Sequence, residues 1–171
     1  MGLFDKLTGT EHPPAGLEPL PAEEVRAALL GLNQPDVPYV IRYGAAEQAD
    51  LMAELRIAEP AWRNFFVQSQ LTHAVKIRLR LNRKDHEVRV LEEQREVVTR
   101  VGNPPRLRIA SSYSRGPDRT VTRRWTVERG DDGRLGATET FRFSASDLRN
   151  PLKDTVLNSG WTWRSVIFGK L

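Results

Sequence analysis

The chain has 171 residues, no cysteine, 28% charged side chains and a formal net charge of +4. That length fits one domain burying roughly 70% of the surface of its unfolded chain, and the missing cysteine excludes disulfides, thiol catalysis and cysteine zinc sites. No apolar run approaches the ~20 residues of a membrane span and the N-terminus lacks the apolar core of a signal peptide, so the expectation is a soluble, cytoplasmic protein.

The basicity is unevenly placed. Residues 1–71 carry 5 basic and 10 acidic side chains, whereas residues 72–171 carry 21 and 12. The sequence pI of 9.8 reflects arginine content, because arginine stays charged far above pH 10.

Met1 to Leu7 is a short apolar patch, and Pro13, Pro14, Pro19 and Pro21 follow in a stretch with little to pack. Residues 1–21 therefore read as an apolar patch and an extended tether, with a single domain over 22–171. Val25, Ala28, Leu29 and Leu32 share one face of a helix expected over 22–32, with Glu23 and Glu24 at its positive end. A strand is expected at Tyr39–Tyr43 and another from about Asp50. Trp62, Phe65 and Phe66 fall on one helical face, which predicts a helix over 60–71.

Period-two alternation then dominates. Val75, Ile77, Leu79 and Leu81 face one way, and Lys76, Arg78 and Arg80 the other, the mark of a half-buried strand. Strands are expected near 73–82, 87–101, 106–114, 119–129 and 134–143, with glycine, proline or Asx turns between them. The second changes phase between Val90 and Val97, which calls for a bulge near Glu92 and Glu93. The last hairpin calls for a bulged turn around Gly130–Gly133. Asn150 and Pro151 suggest a helix start, Gly160 its stop, and 161–168 a final strand. The fold class is α+β: a twisted antiparallel sheet of six to eight strands, open or partly closed into a barrel, with two or three helices.

Three groups of residues are candidates for function. Arg123 and Glu139 alternate onto an apolar face beside Trp125 and Phe141. Cross-strand opposition would make them a structural ion pair, or else a polar spot in a concave pocket completed by Trp161 and Trp163. Lys76, Arg78, Arg80, Arg89, Arg106, Arg108, Arg124 and Arg142 fall on outward phases of neighbouring strands. They form either a polyanion-binding surface or a solvated, salt-bridged face, since Glu87, Glu96 and Glu128 are interleaved and stacking aromatics are lacking. Leu3, Phe4 and Leu7 form the third group. Burying all three yields roughly 5–8 kcal/mol, less than ordering seven residues costs at about 1–2 kcal/mol each. Lys6 also breaks the myristoylation pattern, so a lasting membrane anchor is not expected, and docking on the protein's own sheet or a weak protein contact is. His12, His73 and His86 lack metal-ligand spacing, and no cofactor motif is present.

Met1-Gly-Leu-Phe-Asp-Lys-Leu-Thr-Gly-Thr10, Ala49-Asp-Leu-Met-Ala-Glu-Leu-Arg-Ile57 and Ala145–Leu171, with Gly160-Trp-Thr-Trp-Arg164 inside it, resemble a group of small uncharacterised proteins of high-GC actinobacteria. The resemblance implies a bacterial cytoplasmic origin and attaches no activity. The reading that follows is a non-catalytic binding module for a protein partner or small ligand, using an aromatic-lined concavity or a sheet edge. The alternatives are polyanion or nucleic-acid binding by the arginine face, and an enzyme using the Arg123/Glu139 region on a small molecule.

Overall fold

The computed structural model describes residues 9–68, 71, 73–115, 121–129, 135–166 and 171; for Gln68 and for 111–144 the description is of the backbone. The elements in chain order are β1 (Thr10–Glu11), α1 (Ala22–Leu30), β2 (Tyr39–Tyr43), a 3-10 turn (Ala45–Glu47), β3 (Leu51–Leu55), α2 (Pro60–Gln68), β4 (His73–Asn82), β5 (Glu87–Arg100), β6 (Arg106–Arg115), β7 (Val121–Arg129), β8 (Leu135–Ser144), α3 (Ala145–Asn158) and β9 (Thr162–Ser165). Among the described residues this is an α+β fold built on an open, seven-stranded, mostly antiparallel sheet, with β7 and β8 as a separate two-stranded pair. None of these helices is long and apolar enough to cross a membrane.

The sheet runs β1-β9-β5-β4-β3-β2. Strand β5 is longer than any single neighbour on its far side, and it divides that edge. Glu87–Val90 pair in parallel with β9, and Glu93–Arg100 pair antiparallel with β6. Its other edge pairs without interruption with β4, from Asn82↔Glu87 to His73↔Glu96. The irregularity expected near Glu92 and Glu93 lies between Arg95 and Val97, against β6. The phase change therefore falls where β5 outruns β4, and beyond it Val97 alone is buried while Thr99 and Val101 are exposed.

The alternation read in β4 holds: Val75, Ile77, Leu79 and Leu81 are buried. Register carries that face through Leu51 and Ala53 of β3, Ile41 of β2, and Val88 and Val90 of β5. Val25 and Leu29 of α1, Phe66 of α2, and Leu148, Leu152 and Val156 of α3 join the same core with Trp161 and Trp163. Glu92 stands on this face opposite Ile77. A charge there is tolerable only when held, and Arg149 of α3 holds it with two hydrogen bonds of 2.7 and 2.8 Å.

Helix α3 begins five residues before the Asn150–Pro151 start expected from sequence. Ala145 and Leu148 extend its buried stripe N-terminally, and that packing overrides the local signal of Pro151, which costs one backbone hydrogen bond within the helix. The stop at Gly160 is as expected. Gly160 N–H donates to the Leu157 carbonyl at 3.0 Å and Trp161 N–H to the Val156 carbonyl at 3.2 Å, a Schellman closure with Gly160 at φ +74°. The segment read as a tether is fastened to this corner. Leu20 N–H donates to the Ser159 carbonyl and the Trp161 indole to the Leu20 carbonyl, Lys153 pairs with Glu11 at 2.9 Å, and β1 lies antiparallel to β9.

Candidate functional site

Two of the residues expected to wall an aromatic concavity lie in the core instead. Trp161 and Trp163 are each 1% exposed and belong to the core, because parallel pairing of β9 with β5 puts Trp163 beside Val88 on the inner face. The side chains of Arg123, Trp125, Glu139 and Phe141 lie outside the described residues. Their backbone register opposes Trp125 to Glu139 and Arg123 to Arg142, with a shift between Arg124 and Trp125. Arg123 and Glu139 are thus not directly opposite as alternation alone suggested, since the irregularity sits inside the hairpin. The turn where it was expected, and the Leu3, Phe4 and Leu7 patch, lie outside the described residues.

The arginine face divides into two parts. Over β2–β5 its charges are matched. Lys76 lies 3.3 Å from Glu47 and 3.9 Å from Glu54, Arg78 lies 2.7 Å from Glu93, and Arg42 lies 2.7 Å from Glu54. Arg89 and Arg164 share Glu87 at 3.0 and 3.3 Å, and Arg80 donates to the Leu171 carbonyl at 2.7 Å. Burial pushes the Glu47 carboxyl up, but Lys76, Arg78 and Arg95 outweigh it and hold the group below its ordinary range. The centre of this face is not a solvated platform: Met52, Leu91 and Glu93 are buried there. Of the residues expected to bind anions, Lys76, Arg78 and Arg80 are committed to partners within the chain.

The second part is the distal arm formed by β5 and β6. Arg100 stands directly opposite Arg106, and Val98 opposite Arg108; directly opposed residues share a face. All three arginines are exposed, and none makes an ion pair among the described residues. Two like charges opposed across an antiparallel ladder repel each other. Elsewhere the fold relieves such an arrangement: Arg80 and Arg89 are also opposite, yet each has a partner within the chain.

Apolar surface accompanies these charges, with Val98 and Ile109 45% and 44% exposed. Arg95, Val98, Arg100, Arg108 and Ile109 line a cleft of about 480 Å³. Arg95 and Ile109 also line a smaller cavity of about 60 Å³, whose apolar walls are Leu55, Ile57, Ala74 and Val75. Arg106 and Arg108 are legible as candidates from alternation. Arg100 is not, because the bulge at Arg95–Val97 changes the phase of β5, and the partnership with Val98 depends on register.

No protein-family model matches this chain, and neither a curated protein nor a solved structure does.

Proposed function

We propose that the chain is a non-catalytic binding module that takes an anionic partner on the β5–β6 arm. The observation that carries this reading is the opposed pair Arg100 and Arg106, with Arg108 beside it, which have no ion-pair partner among the described residues. Among the same residues the other exposed arginines, Arg42, Arg80, Arg83 and Arg164, each have a hydrogen-bond or ion-pair partner. An external anion relieves that repulsion and gains from every arginine it reaches. The exposed apolar side chain of Val98 gives the same surface something to bury, and Ile109, opposite Val97 on the other face, adds apolar surface at the cleft wall.

Polyglutamate binding, followed by fluorescence anisotropy at low and moderate salt, tests the proposal. The native chain is expected to bind with an affinity that falls as salt rises. The Arg100→Glu/Arg108→Glu variant is expected to lose binding at least tenfold while keeping its melting temperature, since both residues are exposed. Binding that ignores salt, or that survives the double charge reversal, refutes the reading.

A further inference from the structure

We infer that the partner of the β5–β6 arm is a protein segment carrying one branched aliphatic side chain beside acidic residues. The inference rests on the reading above and adds the identity of the occupant. It comes from the small cavity that shares Arg95 and Ile109 with the basic cleft. A water needs roughly 10–15 Å³ of such space, so about 60 Å³ holds only a handful of heavy atoms. That suits the end of a leucine or isoleucine side chain. It is too little for a fatty acyl chain or a nucleotide base.

The chemistry of the walls agrees with the size. Leu55, Ile57, Ala74, Val75 and Ile109 are apolar, Lys76 and Glu54 are charges already paired within the chain, and Arg95 is the cation shared with the larger cleft. Among the described residues no aromatic ring lines either opening, and such rings are what single-stranded nucleic acid stacks on. The larger cleft then places Arg100 and Arg108 within the reach of residues that flank the anchor. An aliphatic anchor in a fitted pocket with charges around it is how short segments are recognised on a sheet surface. Charge complementarity selects acidic flanks over basic ones.

A random dodecapeptide display library panned against the native chain, with Ile109→Asp and Arg100→Glu/Arg108→Glu as counter-selections, tests this. The enriched peptides are expected to hold leucine, isoleucine or valine flanked by aspartate or glutamate. Changing that aliphatic residue to alanine in a synthetic peptide is expected to weaken binding about tenfold or more. Both variants are to be checked by their melting temperatures, and neither is expected to retain the peptides. Enrichment of sequences without an aliphatic anchor, or an equal affinity for the alanine peptide, overturns the inference while polyglutamate binding keeps the anionic-arm reading alive. Tighter arginine-dependent binding of oligothymidylate than of any peptide does the same. Loss of both peptide and polyglutamate binding removes the inference and the reading together.

Discussion

Adjacent carboxylates on β5 are buried on opposite faces, and each depends on an arginine from elsewhere. Glu92 is 6% exposed and held by Arg149, and Glu93 is fully buried and lies 2.7 Å from Arg78. Removing one partner of such a pair leaves the other charge stranded, which costs about 3–5 kcal/mol. Arg149→Ala is therefore expected to lower unfolding free energy by about that amount in urea titrations. Glu92→Leu with Arg149→Met is expected to recover most of it, because a packed apolar pair matches a buried ionic one. Glu47 offers a gentler case. Its carboxyl is held below the ordinary range by Lys76, Arg78 and Arg95 against the opposing effect of burial. A depressed acid stabilises the fold above its unfolded-state pKa, and this is lost as pH falls through the folded value. Glu47→Gln is thus expected to lower the melting temperature at pH 7 and to match the native chain in acid; a constant deficit at both would refute the linkage. Neither arrangement is legible in the sequence. Two consecutive glutamates in a strand look like a phase error, and the arginines that resolve it lie on α3 and β4.

At the scale of elements, β2 is an edge strand that does not offer its edge. The Asn33 amide accepts from Ile41 N–H and donates to the Ile41 carbonyl, both at 2.8 Å. Arg56 occupies the Tyr39 carbonyl at 2.8 Å. An exposed strand edge otherwise templates pairing with another chain. Asn33→Ala is expected to cost about 1 kcal/mol and to increase self-association in sedimentation velocity as concentration rises; an unchanged monomer fraction would argue that the side-chain plug is dispensable. Asn33 reads in sequence only as part of the stop after α1, since its bond to Ile41 exists only once β2 has turned back. The same limit explains α3. Asn150-Pro151 is a strong local start, yet burial of Ala145 and Leu148 extends the helix past it. Where a local pattern agrees with packing, as in β4 and at Gly160, the sequence reading stands; where a distant surface decides, it slips by a few residues.

For the molecule as a whole, alternation revealed the sheet but not its order. Antiparallel neighbours joined by turns follow from the chain, whereas the parallel seat of β9 beside β5 and the antiparallel seat of β1 beside β9 do not. That topology also moved the candidate surface. Trp161 and Trp163, which as free aromatics suggested a concavity, were drawn into the core by β9, and the arginines left over gathered on the arm that outruns β4. The division of β5 between β9 and β6 has a further consequence, which concerns the order of events during synthesis. Residues 87–90 emerge from the ribosome long before residues 162–165, so the hydrogen-bonding edge of β5 waits uncovered while α3 is made. Strand β1, the earliest of the described strands, meets its described partner only when β9 arrives. The earliest of the described strands is thus among the last to be seated, and this stretch of the β5 edge stays open until β9 closes it.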